Sequence, residues 1–76
     1  MKYQKSDQEI KLGDRVLYAG ARAEVLALGF SAQYGADLRR EDWEGEIGGG
    51  LLIRFENGSL AKLDEPDEDL EFIGRA

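Results

Sequence analysis

The sequence predicts an all-β domain of five short strands with a long loop between strands 2 and 3. Three observations favour this fold class. A Gly-Asp turn signal precedes a short β-rich run, an Asn-Gly dipeptide separates two apolar runs, and a last apolar run follows an acidic turn. The 42% share of hydrophobic residues is typical of a chain that folds.

Length and composition limit how such a domain is stabilised. A chain of 76 residues fits one domain and buries about 60% of the surface that its unfolded state exposes. Because the chain has no Cys and no His, disulfides and the commonest metal sites cannot compensate for a small core. We therefore expect a single domain over residues 10–76 that depends on efficient packing or association. Residues 1–9 are polar and are expected to be a frayed or loosely docked tail.

The first two strands are predicted over residues 10–20 and 21–30. In the first, Gly13-Asp14 is a turn signal. In the second, residues 23–28 follow a period of two in which both faces are mostly apolar, which predicts a buried strand. A helix over residues 22–28 is the alternative, because Ala, Glu and Leu are good helix formers.

Residues 29–50 break this pattern and are predicted to form a long loop. Five glycines interrupt the segment from position 35 onward, and residues 37–44 have room for one or two helical turns at most. Loops longer than about 12 to 15 residues are uncommon in compact domains and often carry function. This loop is therefore a candidate binding segment.

A β-hairpin over residues 51–63 is the clearest feature of the sequence. If residues 56–58 form a three-residue loop, Leu51, Ile53 and Phe55 share one face with Ala61 and Leu63. Gly58 suits the positive φ angle that such a loop requires. After a turn at residues 64–69, residues 70–73 are predicted to form the last strand.

The order and spacing of these elements resemble an SH3-like small β-barrel, the plan shared by Tudor and KOW modules. The resemblance covers residues 10–74 and rests on residues 13–16, 53–58 and 70–73. It implies a five-stranded barrel. A KOW-like role would require a basic loop, whereas residues 19–22 contain a single Arg.

Charge and hydropathy exclude several functions. The formal net charge is −6 and the pI is near 4.5. Because a chain with this negative charge repels phosphate, we expect no direct binding of nucleic acid. The longest apolar runs are far shorter than the roughly 20 residues of a membrane span, so no membrane association is expected. Because no apolar signal-peptide core follows the first residues, the expected location is the cytoplasm.

The residue types do not suggest catalysis. General acid-base and nucleophilic mechanisms usually use His, Cys, or a Ser beside a base, and the chain has no His, Cys or Thr. The acidic run at residues 64–69 lacks the glycine and glutamate spacing of an EF-hand. We therefore expect neither an enzyme nor a cofactor or metal ion.

Two acidic clusters are the candidate partner-binding sites. Six of the eight residues at 64–71 are acidic, and four more acidic residues surround Trp43. A solvated surface that keeps the protein soluble is the simpler interpretation. The functional interpretation is a docking face in which carboxylates attract a basic partner and aromatic side chains anchor it. Its candidate residues are Tyr34, Glu41, Asp42, Trp43, Glu44, Asp64, Glu65, Asp67, Glu68 and Asp69.

The leading hypothesis is a non-enzymatic protein that docks on a basic protein and blocks it, as bacterial immunity proteins block toxins. The partner would be a toxin or a nucleic-acid-binding enzyme. One alternative is an inhibitor that mimics nucleic acid with carboxylates in place of phosphates. Another is a Tudor-like reader that holds a cationic ligand in an aromatic cage drawn from Tyr18, Phe30, Tyr34 and Trp43. Homo-oligomerisation stays open, because small domains with exposed strand edges can pair.

Overall fold

The fold is a mostly antiparallel β-sheet with one short α-helix. A computed structural model describes residues 2–35 and 38–75, with Glu44 described by its backbone alone. The elements in chain order are β1 (Asp14–Tyr18), β2 (Ala21–Leu28), a 3₁₀ turn (Gly29–Ser31), β3 (Gln33–Tyr34), α1 (Arg40–Ile47), β4 (Leu51–Phe55), β5 (Leu60–Leu63) and β6 (Leu70–Arg75). The all-β prediction is confirmed.

The strands form one sheet in the order β5-β4-β2-β1-β6, and β3 pairs with the end of β2. All pairs are antiparallel, and β6 returns to pair with β1. Among residues 2–35 and 38–75, β5 and β6 do not pair, so the sheet is not closed and the predicted small barrel is not shown. The sheet also has a sixth strand, the two-residue β3, where the sequence predicted five.

The turn between β1 and β2 consists of Ala19 and Gly20. Their φ angles are 52° and 86°, and Tyr18 pairs with Ala21 across the turn. Two consecutive positive φ angles define the mirror-image turn whose twist matches that of paired strands. The following residues continue as the eight-residue strand β2, so the helical alternative for residues 22–28 is wrong.

The predicted hairpin is confirmed in position and register. Leu51 pairs with Leu63 and Ile53 with Ala61, which leaves residues 56–58 as a three-residue loop. The N–H of Phe55 donates to the carbonyl of Ser59 at 2.8 Å, and Gly58 has a φ of 90°. A glycine in the left-handed region is the usual third residue of such a loop.

Side chains that alternate along the strands build two apolar clusters on opposite faces of the sheet. The inner face carries the larger one, here called the inner cluster: Tyr3, Ile10, Val16, Ala23, Val25, Leu28, Leu51, Ile53, Leu63 and Leu70. The outer face carries the helix-side cluster, formed by Leu26, Ala27, Ile47 and Leu52 with Tyr34, Leu38 and Trp43 packed against it. Helix α1 therefore covers only one end of the outer face.

The predicted long loop folds into structure of its own. It contains the 3₁₀ turn, β3 and α1, and this helix of eight residues begins and ends three residues later than the segment 37–44 in which helical turns were expected. The ends of the segment meet where the N–H of Gly29 donates to the carbonyl of Gly50 at 2.8 Å. The excursion is thus closed at its base by a backbone contact between two glycines.

The N-terminal segment is packed rather than frayed. Tyr3 is 1% exposed and belongs to the inner cluster, and its hydroxyl donates to Asp14. Lys2 and Glu9 form an isolated β-bridge. The expectation of a loosely docked tail is therefore wrong at Tyr3, because a single aromatic residue in a polar stretch reaches the core.

No helix among the described residues has the length and apolar character needed to cross a membrane.

Candidate functional site

The acidic turn, defined as residues 64–69, connects β5 to β6 and presents carboxylates to solvent. Asp64, Glu65, Glu68 and Asp69 are exposed, whereas Pro66 is buried beneath them. The side chain of Asp64 is 89% exposed and lies 3.7 Å from the Nζ of Lys62. Ion pairs this exposed contribute little to stability, so most of the negative charge stays available to a partner.

Asp67 fixes the shape of the acidic turn from within. Its Oδ1 accepts the N–H of Asp69 at 2.9 Å, an Asx turn, and its Oδ2 accepts the hydroxyl of Tyr18 at 3.1 Å. The hydrogen bond to Asp67 raises the pKa of the Tyr18 hydroxyl, with desolvation a smaller cause. Asp67 is thus half-buried and structural, unlike the acidic residues around it.

The N-terminal segment supports the acidic turn from the side. The Nε2 of Gln4 donates to the carbonyl of Pro66 at 2.9 Å, and the Nζ of Lys5 donates to Glu71 at 2.8 Å. The bond to Glu71, with smaller contributions from Asp69 and Glu68, raises the pKa of Lys5. A segment distant in sequence therefore helps to hold the turn in one conformation.

The second predicted cluster lies on α1, where it is organised differently. Glu41 and Asp42 are exposed in the first turn of the helix, where the helix dipole favours negative charge, and Arg39 pairs with Glu41 at 3.1 Å. Trp43 is half-buried against the helix-side cluster. The side chain of Glu44 lies outside the described residues. Trp43 thus fastens α1 to the sheet instead of projecting as a free anchor.

The predicted site residues do not form one continuous surface built on one apolar cluster. Tyr34 and Trp43 pack against the helix-side cluster, whereas Tyr18, which holds the acidic turn, packs against the inner cluster. The ring of Tyr18 lies 6.5 Å from that of Phe55. Phe30 is 39% exposed. Of the four aromatic residues proposed for a cage, Tyr18 therefore lies on the opposite face of the sheet from Tyr34 and Trp43.

A feature that the sequence reasoning missed lies on the uncovered part of the outer face. There an open concavity of about 630 Å³, here called the arginine concavity, is lined by Arg15, Arg22, Glu24, Arg54, Glu56 and Arg75 together with apolar residues. The sequence does place Arg15, Arg22 and Arg54 in predicted strands. That these arginines lie side by side follows only from the strand register, which aligns residues of three different strands.

The described side chains indicate what chemistry these surfaces can support. No group of three or more acidic side chains among the described residues is arranged to hold a metal ion. The acidic turn can accept hydrogen bonds from Lys and Arg side chains, and the arginine concavity can donate them to anions. Comparisons with protein-family models, curated proteins and solved structures find no match to this chain.

Proposed function

We propose that the protein is a non-enzymatic binding module that docks on a basic protein partner through the acidic turn and blocks it, in the manner of an immunity or inhibitor protein. The observation that carries the proposal is the construction of this turn. Four exposed carboxylates surround the internally bonded Asp67 and the buried Pro66. A surface that is held in one conformation before binding loses less entropy on association.

The electrostatics support a basic partner. The formal charge of the chain is −6, and the acidic turn holds five of its sixteen acidic residues within six positions. A field of this kind accelerates the encounter with a positive surface and repels phosphate-rich ligands. The partner would be a toxin or a nucleic-acid-binding enzyme whose basic surface the turn covers, acting in the cytoplasm.

The acidic turn, rather than α1, is the centre of the proposed interface. Glu41, Asp42 and Glu44 belong to a helix that packs on the outer face, and Trp43 and Tyr34 are used there for packing. These residues contribute to binding only where a partner is large enough to reach both faces. Protein-protein interfaces bury about 800 Å² on each partner, so this size is not unusual.

The fold proposed for this module is an SH3-like plan in its open form. In support of this fold, β1, β2, β4 and β5 follow one another as a meander, and β6 returns to pair with β1. β-Bulges favour curvature of a sheet, and the unpaired residues Leu26 in β2 and Ile73 in β6 are irregularities of this kind. Fold alone does not identify the partner in such widely used architectures.

The test is a pair of variants with the same change in net charge. In the first, Asp64→Asn, Glu65→Gln, Glu68→Gln and Asp69→Asn neutralise the acidic turn. In the matched control, Asp7→Asn, Glu9→Gln, Glu46→Gln and Glu56→Gln neutralise four exposed carboxylates that are not candidates for the docking face. Each tagged protein is used to capture partners from lysate of the source cells at about 50 and 300 mM salt, conditions that change the screening of surface charge.

We expect one basic protein to be retained by the wild type and the control and lost by the acidic-turn variant. Titration of the purified partner should then show that binding inhibits the partner's own activity. Equal retention by both variants would show that the acidic turn is a solubility feature. If the captured protein is lost equally from both variants, its binding depends on net charge alone, and the proposal of a specific interface at the acidic turn is wrong.

A further inference from the structure

We propose that the arginine concavity is a second binding site, which takes an acidic segment of a protein through Arg15, Arg22 and Arg54. It lies on the outer face of the sheet and is separate from the acidic turn. The module would thus carry two docking surfaces of opposite charge.

Strand register assembles the floor of the concavity. One row of directly paired residues crosses the whole sheet. In order from β6 to β5 it consists of Gly74 (β6), Arg15 (β1), Glu24 (β2), Arg54 (β4) and Leu60 (β5). Side chains at directly paired positions point to the same face of a sheet. Arg22, two residues before Glu24, lies on the same face of β2. Three arginines from three strands therefore surround one glutamate on a rigid surface.

The charge of this floor is opposite to that of the rest of the chain. Its lining contains four arginines and two glutamates, a formal charge of +2 in a chain of net −6, so the remaining residues carry −8. Among residues 2–35 and 38–75, Arg15 has no ion-pair partner. The Nε of Arg22 lies 3.9 Å from Glu56, and both of these side chains are more than 70% exposed. Arg15 and Arg22 are thus available to an anionic ligand.

The two remaining arginines are held in place by neighbours. Arg54 lies 3.2 Å from Glu24, and Arg75 donates to the buried Asp14 at 3.1 Å. Glu24 therefore fixes the guanidinium of Arg54 on the floor. A ligand carboxylate that approaches Arg15 meets an arrangement that is largely organised before binding.

The composition of the concavity favours a protein segment over other anions. Ile73, which is 49% exposed, adds apolar surface. Arginine beside apolar side chains is typical of protein interfaces. Glu24 and Glu56 would repel the continuous phosphates of a nucleic acid, which needs an uninterrupted basic surface. The open shape does not enclose a small molecule.

The probe is a fluorescein-labelled peptide with the sequence of residues 63–72, which contains six acidic residues. It is titrated up to about 1 mM, the range of weak affinities. The variants are Arg15→Glu and Arg22→Glu, with Arg39→Glu as the matched control. Arg39 is 76% exposed in the segment before α1, so its substitution changes the net charge equally but lies outside the concavity.

We expect saturable binding by the wild type, about a tenfold or greater loss in each concavity variant, and a change within about twofold in the control. Arg15→Lys should weaken binding less than Arg15→Glu, because it keeps the charge but not the guanidinium fork. Thermal unfolding of each variant confirms that it is folded. Absence of saturable binding by the wild type, or equal losses in all three glutamate variants, would overturn the proposal. A ten-residue single-stranded DNA that binds more tightly than the peptide and is lost in the same variants would also overturn it, in favour of a phosphate ligand.

Discussion

The hydroxyl of Tyr3 donates a 2.7 Å hydrogen bond to the carboxylate of Asp14, and both side chains are at most 1% exposed. Asp14 also accepts the N–H of Lys11 at 3.0 Å and the Nε of Arg75 at 3.1 Å. A buried carboxylate is costly unless it is well hydrogen-bonded. This network therefore joins the N-terminal segment, β1 and the last residue of β6 around a single charge.

Replacement of Tyr3 by Phe should destabilise the protein by about 1 to 3 kcal/mol at neutral pH, because it removes a donor to a buried charged acceptor. The rest of the ring stays the same. Burial raises the pKa of the Tyr3 hydroxyl far above its ordinary value of 10.0, and the hydrogen bond to Asp14 adds to the effect. The measurement is the free energy of unfolding in urea as a function of pH.

The sign of the pH dependence follows from this shift. Because the folded-state pKa is raised, the stability that Tyr3 contributes is fully present below about pH 10 and is lost as the pH rises toward the folded-state value. The difference in free energy of unfolding between the wild type and Tyr3→Phe should therefore shrink above about pH 10. Parallel curves for the two proteins up to the alkaline limit would contradict this account. Tyr34→Phe, a substitution in the helix-side cluster, should keep the wild-type alkaline loss.

Replacement of Tyr18 by Phe should loosen the acidic turn without unfolding the domain. It removes the hydroxyl that donates to Asp67, whose other oxygen holds the N–H of Asp69. Amide hydrogen exchange measured by NMR should become faster at Asp69 and Leu70. The amide of Phe55, which bonds within the hairpin loop, should exchange as in the wild type. Unchanged exchange at Asp69 would show that Pro66 and Gln4 suffice to hold the turn.

The parts of the fold that could be predicted are those determined by local sequence. The hairpin was predictable in register because Asn57-Gly58 restricts the loop and one-residue slippage would move the apolar side chains to the other face. The role of Tyr3 was not, because a single aromatic residue in a polar segment gives no periodic signal. Its position depends on a partner eleven residues away.

The candidate site was predictable to a similar degree. The acidic turn could be recognised in the sequence from its density of acidic residues. The internal role of Asp67 could not, because it depends on a hydrogen bond from Tyr18, 49 residues away. Trp43 resembled a surface anchor because acidic residues surround it in sequence. On a helix the neighbours in sequence lie on other faces, so Trp43 could still pack inward. The arginine concavity required the pairing of β1, β2 and β4, which composition does not reveal.

The turn between β1 and β2 offers a stabilising substitution. Ala19 has a φ of 52° and an exposed side chain, and left-handed conformations are unfavourable for alanine. Asn-Gly is the preferred pair for this turn, so Ala19→Asn should raise the free energy of unfolding by about 0.5 to 1 kcal/mol. Ala19→Val should lower it, because β-branched residues tolerate this region poorly. Both effects are measured by urea unfolding, and a loss of stability in Ala19→Asn would contradict the assigned turn.

At the base of the long excursion, Gly50 should not tolerate a side chain, whereas the preceding residue, Gly49, should. A Cβ atom added at Gly50 would lie 2.1 Å from the carbonyl oxygen of Leu63 and 2.9 Å from the Cα of Asp64, both backbone atoms of the neighbouring strand and turn. A Cβ added at Gly49 meets nothing within 4 Å. Gly50→Ala should therefore cost more than about 2 kcal/mol, because β4 and β5 must move apart.

Gly49→Ala is the matched control, with the same chemical change one residue away. It should be neutral or stabilise the protein by up to about 1 kcal/mol, since alanine restricts the unfolded chain. Urea unfolding of the two variants gives the comparison. Because Gly50 directly precedes β4 and lies against the start of the acidic turn, Gly50→Ala should also weaken capture of the basic partner, while Gly49→Ala should not. Equal stability of the two variants would mean that the strands do not approach each other so closely at this point.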